Sequence, residues 1–245
     1  MKLISSISAL SIMLFLSGCA KENLGDCFKS TGKSITEKRT LAGFSKLYID
    51  DQINVFIEEA NEHSAEVTAG ENLQDFIITE VRDGVLYIEN DNRCNWVRSY
   101  KRAINVTVRS PEVNEITYYG SGKVECLNQI HPATFLLNAW EASGNITLDI
   151  ASEDVELKLH TGPVNLNCKG TGDFVVVYNN GLGTLDSRDF KAREALAVNA
   201  NSGELKVFAD SILNANIEGN GDLFYSGEPK INLRITGNGK LIESE

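Results

Sequence analysis

Arg93, Trp96, Arg98, Tyr100, Lys101 and Arg102 crowd four cations and two aromatic rings into one short segment of a chain whose formal net charge is −11. Guanidinium groups make forked contacts to carboxylate and phosphate, and an indole face stacks on a sugar or a cation. The segment is a candidate for holding an anionic sugar or a lipid headgroup. The competing reading is a loop that caps one end of a stack of strands, its charges paired with nearby acids. A second candidate is aromatic. Tyr118, Tyr119, Trp140 and Tyr178 would form a stripe if a repeat brought them into line, with Tyr119 and Trp140 as its candidate ligand contacts. Such rings stack on sugars or pack on one another. A third is the carboxylate pair Glu204 and Asp222, which at about 5 Å would suit a retaining glycosidase. Other chemistry is poorly served. No serine lies in a nucleophile-elbow sequence, His63, His131 and His160 are scattered, and no two cysteines have metal-ligand spacing. No metal and no cofactor are expected.

A repeat must position these residues. Gly122, Gly144, Gly162, Gly183, Gly203, Gly221 and Gly239 recur at nearly even intervals along the second half of the chain. Two positions after each comes an aliphatic side chain: Val124, Ile146, Val164, Leu185, Leu205, Leu223 and Leu241. Alternation on both sides of a glycine turn reads as strand, tight turn, strand, because period two sends one set of side chains to one face. One such unit cannot bury its apolar face alone, so a repeat this short predicts stacked coils. Coils lie about 4.8 Å apart, and the aliphatics would form a continuous internal column, each contributing about 1.5–3 kcal/mol against chain entropy. The expected fold is an all-β, single-stranded β-solenoid with coils of about 18–22 residues. On it Glu204 and Asp222 fall on adjacent coils, but Lys240 continues their column and Asp186 and Lys206 form the next. A solvated face of compensating charge is the expectation there, rather than a glycosidase.

Upstream, Leu47 and Ile49, then Ile53, Val55 and Ile57, Leu86 and Ile88, and Ile104, Val106 and Val108 alternate in the same way. These are further strands. Only residues 71–76 could make a short helical turn. Cys126 and Cys168 extend inward alternations and read as small buried hydrophobes. Cys27 and Cys94 lie in polar, irregular stretches and could be bridged in an oxidising compartment.

The N-terminus carries Lys2 and an apolar run from Leu3 to Leu16, a signal too short to span a membrane comfortably. Leu16-Ser17-Gly18-Cys19 resembles a bacterial lipobox, which implies cleavage before Cys19 and its lipidation. Residues 1–18 are then a lipoprotein signal peptide, residues 19–34 an anchor and tether, and residues 35–245 one domain. Ala20 and Lys21 replace the aspartate that retains such proteins at the inner membrane, so the outer membrane is expected, on either face. Loss of Lys2 moves the net charge from −11 to −12, which excludes nucleic-acid binding by charge.

Leu41-Ala42-Gly43-Phe44, Gly70-Glu71-Asn72-Leu73, Asp83-Gly84-Val85-Leu86-Tyr87-Ile88, Ile104 to Pro111, and Tyr119-Gly120-Ser121-Gly122 with the coils after it resemble the putative auto-transporter adhesins of the head GIN domain type. The resemblance spans about residues 35–245 and implies a right-handed β-helix-like fold in exported, commonly lipid-anchored proteins. It implies no catalytic residues. The last coil ends shortly before Glu245, so the membrane barrel of an autotransporter is expected to be missing. The expected function is a lipid-anchored envelope binding protein, adhesin-like and not an enzyme, that recognises a glycan or a surface macromolecule. Its alternatives are a β-helix polysaccharide lyase or glycosidase, and a structural envelope component without a small ligand. The oligomeric state is open.

Overall fold

The structure, a computed structural model, describes residues 31–92 and 103–244. Within them lie nineteen strands and a 3-10 turn at Gln74–Phe76. The strands arise where apolar residues alternate: in Thr134–Ala139 the side chains of Phe135, Leu137 and Ala139 are buried and those between them are not.

Parallel pairing stacks the strands into two faces. One face runs through β6 (Val85–Asn90), β2 (Lys46–Ile49), β8 (Glu115–Tyr118), β10 (Thr134–Ala139), β12 (Asp154–Leu159) and the second halves of β13 (Asn165–Asn179) and β14 (Leu185–Asn199). It ends in β16 (Ile212–Ile217) and β18 (Lys230–Ile235). The other runs through β7 (Ile104–Ser110), β3 (Ile53–Glu59), β9 (Lys123–Cys126), β11 (Asn145–Ala151) and the first halves of β13 and β14. It ends in β15 (Leu205–Phe208), β17 (Leu223–Ser226) and β19 (Leu241–Glu243). Each coil gives one strand to each face. One core cluster, from Phe44 to Leu223, fills the space between them. The fold is the expected all-β solenoid.

The internal column exists, with one correction. Val55, Val124, Ile146, Leu166, Leu185, Leu205, Leu223 and Leu241 stand in register through the second face. All but Leu241 are fully buried. Leu166, not Val164, occupies the place on β13, so Gly162 belongs to a different turn position from the other six repeat glycines. Val164 takes the position they hold. Its carbonyl oxygen would lie 1.8 Å from a Cβ on Gly183, so a side chain at Gly183 has no room between coils. At the corner, inward polar groups tie successive turns together. Asn179 Nδ2 donates to the carbonyls of Gly183 and Glu204, both at 3.1 Å. Asn199 Nδ2 donates to those of Gly203 (2.9 Å) and Asp222 (3.0 Å), and the Tyr118 hydroxyl to those of Gly122 (2.8 Å) and Ser143 (3.1 Å).

The first coils depart from sequential stacking. The β2–β3 coil lies between the β6–β7 coil and the β8–β9 coil, so the chain enters one layer inside the stack, builds outward, and returns. The outermost layer is closed by antiparallel strands: β4 (Ser64–Gly70) pairs with β7, β1 (Ser34–Thr40) with β4, and β5 (Ile77–Arg82) with β6. Arg39 fastens this cap, donating to the carbonyls of Ile77 (2.5 Å) and Gln74 (2.9 Å) and to Thr79 Oγ1 (3.0 Å).

Candidate functional site

Just past the ends of β8, β10 and β12 the chain turns from the first face to the second. Tyr119, Trp140 and His160 hold the same position there in three successive coils, each donating its N–H to the coil before: to the carbonyls of Ile49, Tyr118 and Ala139. Tyr48 and Tyr87 are in register on the outer side of the first face, and Tyr178 lies on the outer side of β13. The ring contacts fall into two runs. Tyr87 meets Tyr48 at 5.2 Å and Tyr48 meets Tyr119 at 5.6 Å, both tilted. Trp140 stacks on His160 at 3.6 Å with 4° between planes, and His160 meets Tyr178 at 5.7 Å. Tyr119 and Trp140 stand at the facing ends of the two runs on adjacent coils, and they are the most exposed of the six rings at 40% and 39%.

This geometry decides what the rings can do. A ring between two others on the stack offers solvent its edge. An end ring keeps a face open, and Tyr119 and Trp140 are the two end rings that stand at the same position of adjacent coils. Polar groups frame them. His160 Nε2 donates to Asn138 Oδ1 at 3.0 Å, and burial, aided by Lys158, pushes the imidazole below its ordinary value. Burial, then Asp50 and Glu89, raise the Tyr48 phenol above its ordinary value. Glu141, at φ 51° beside Trp140, donates its N–H to Thr161 Oγ1 at 2.8 Å. Apolar ring faces bordered by carboxylates and hydroxyls match the C–H faces and hydroxyl rim of a sugar.

The aromatic expectation needs two corrections. Tyr118 is fully buried, its hydroxyl held by turn carbonyls, so it belongs to the core. The stripe instead includes Tyr48, Tyr87 and His160, which sequence reading passed over. The outward alternation within β2 and β6 was the available signal for the two tyrosines. Arg93, Trp96, Arg98, Tyr100, Lys101 and Arg102 lie outside the described residues, as do Cys19, Cys27 and Cys94. The basic segment joins β6 to β7, so its flanking residues Asn92 and Ala103 belong to the outermost coil, beside the one that carries Tyr48.

The remaining candidates are structural. Asp222 Oδ1 accepts the Lys240 N–H at 2.9 Å, and Glu204 pairs with Lys206 at 3.0 Å. Burial alone would raise Asp186, but the Arg188 side chain and N–H outweigh it and hold the carboxyl below its ordinary value. At the other corner a groove is lined by Arg188, Asp189, Lys191, Phe208 and Ser226. Its cations are engaged: Arg188 by Asp186, and Lys191 by the Arg188 carbonyl and the Phe208 ring 4.2 Å away. Cys168 is buried in the core as expected, whereas Cys126 is only half-buried and packs against it; burial pushes the Cys126 thiol up to about 11 and the Cys168 thiol higher still. Among the described residues no group of His, Cys, Asp and Glu could hold a metal ion, and no helix is long and apolar enough to cross a membrane.

Solved structures share this architecture. A putative adhesin from Bacteroides fragilis NCTC 9343 is similar at 21% identity and a TM-score of 0.81, covering 86% of this chain and 97% of that one. A putative lipid binding protein from Parabacteroides distasonis ATCC 8503 is similar at 24% identity and a TM-score of 0.70, covering 88% and 98%. A putative adhesin from Parabacteroides merdae ATCC 43184 is similar at 17% and 0.67, covering 88% and 98%. At these identities the likeness is one of fold. No curated protein matches the chain. The relatives are named for adhesion or lipid binding rather than for catalysis, and an adhesin-like family points to the cell surface or envelope. The family model described as putative auto-transporter adhesin, head GIN domain, matches residues 43–229, and the chain belongs to that family.

Proposed function

We propose that the protein is a lipid-anchored, non-catalytic binding protein of the bacterial outer membrane that recognises a glycan, or a surface macromolecule, on its aromatic corner. The observation that carries the reading is the placement of Tyr119 and Trp140 at the same position of adjacent coils, each at the end of an aromatic run. Each open ring face is worth about 0.5–1.5 kcal/mol to a stacked ligand beyond the area it covers. The rigid coils beneath hold the rings in place, which lowers the entropy lost on binding. Cys19 supplies the anchor, and the residues between it and Ser34 span at most about 50 Å when extended.

Protein lacking residues 1–19 is assayed on a glycan array and against soluble acidic polysaccharides while product release is followed. The expected outcome is binding without turnover, weakened about tenfold or more by W140A and Y119A at an unchanged melting temperature. Release of sugar would replace the reading with a lyase or glycosidase, and silence on every probe would leave a structural envelope component. Palmitate labelling of the full chain, lost in C19A, tests the anchor separately.

A further inference from the structure

The two ends of the solenoid are finished differently. Antiparallel β1, β4 and β5 cover one end. At the other, β18 and β19 are the last layers among the described residues, which leave the core side chains of β18 uncovered. Leu233 and Ile235, in register with the buried Ala215 and Ile217, are each 47% exposed. The backbone is open as well. Lys230 and Thr236 donate their N–H groups back to the carbonyls of Ser211 and Ile217. By the alternation of a strand, the amides and carbonyls of Ile231, Leu233 and Ile235 point away from the stack. An unpaired edge backed by apolar side chains is a template for another strand.

We propose that this end docks a second copy of the same chain, the two β18 strands pairing antiparallel about a two-fold axis through Leu233. The sequence of β18 is complementary to itself in that register. Leu233 meets the partner's Leu233 and Ile231 meets the partner's Ile235, so apolar pairs continue the core across the axis. The outward-pointing amides and carbonyls of all three residues find partners. On the outer surface Asn232 falls opposite the partner's Arg234, and Lys230 opposite the partner's Thr236. Asn232 Nδ2 donates to Asn214 Oδ1 at 2.9 Å, which leaves its own Oδ1 as the acceptor at the open end, where that guanidinium arrives. Slipping the pairing by two positions either way sets Lys230 against Arg234 or Arg234 against itself. Like charges directly opposite are unfavourable, so the charge pattern selects the register. Such an interface is isologous and closes at two copies, because the other end of each copy is capped.

The test uses the chain lacking residues 1–19; the nineteen strands run from Ser34 to Glu243. Sedimentation equilibrium across about 1–100 µM is expected to show a two-copy species. L233K and I235K, placed on an exposed end so that folding survives, weaken it about tenfold or more with circular dichroism and melting unchanged. Hydrogen exchange adds a reading specific to the register. The amides of Ile231, Leu233 and Ile235 become protected with rising concentration, while those of Asn232 and Arg234 are protected throughout. A one-copy mass at every concentration overturns the proposal and leaves this end to solvent or to another partner. A two-copy mass untouched by both variants overturns it too, by placing the interface elsewhere.

Discussion

Asn179 and Asn199 look interchangeable in sequence, yet their surroundings differ by one bond. Both donate to two turn carbonyls, but Asn179 Oδ1 also accepts the Gly181 N–H at 3.0 Å, whereas Asn199 Oδ1 is buried without a partner. Replacing either with leucine strands one buried carbonyl, that of Gly183 or of Gly203, because the carbonyls of Glu204 and Asp222 also accept the N–H groups of Leu185 and Leu205. Only at Asn179 does it strand an amide as well. A buried polar group left unpaired costs about 1–3 kcal/mol, so N179L is expected to lose about 1 kcal/mol more than N199L in urea unfolding. Equal losses would mean that the Gly181 bond contributes nothing. At this scale the aromatic corner was half legible. Tyr119 and Trp140 stood out as large rings next to turn glycines. Tyr118 stood out equally and proved to be core, because whether a residue at a strand end points in or out depends on where the turn begins. Tyr48, Tyr87 and His160 lie far apart in sequence, and only strand pairing brings them beside the others.

At the scale of the coil, the turn glycines are spacers between layers as much as conformational devices. The Gly183 Cβ position lies 1.8 Å from the Val164 carbonyl oxygen, and the hydrogen bonds between layers forbid the coils from opening to admit a methyl group. G183A is expected to cost about 3 kcal/mol by overpacking. Gly84, at φ 77° with nothing within 4 Å of its Cβ position, is the control, and G84A should cost about 1 kcal/mol through backbone strain alone. Thermal or denaturant unfolding of the two variants checks the difference; similar losses would show that layer contact is not what excludes a side chain. The column two positions beyond the glycines was legible because glycine and aliphatic recur at a fixed offset. It failed at Val164, where β13 begins two positions later relative to its glycine, and only the pairing of Ile146 with Leu166 reveals the shift.

For the molecule as a whole, nearest-neighbour stacking means that a coil should be removable where the register on both sides is equivalent. Leu205 pairs with Leu223 across a single repeat, so deleting residues 205–222 joins equivalent points of neighbouring layers. The shortened chain is expected to keep a β-type circular dichroism spectrum and to melt in one transition, some degrees lower. An unfolded product would show that the coils are not interchangeable. The same deletion keeps the aromatic corner, so ligand binding on it should persist.

The period of the glycines and the alternation between them were enough to determine that this chain stacks strand-turn-strand units around a common interior. Both are local consequences of side-chain geometry, repeated often enough to be unmistakable. Tertiary structure alone decided three things. It set the order of the first coils, because antiparallel and parallel strands carry the same alternation. It decided which aromatics share a corner, because contact along the stack joins residues about a coil or more apart in sequence. It also left one end capped and the other open, because a strand's sequence specifies its faces but not whether a neighbour lies at its edge.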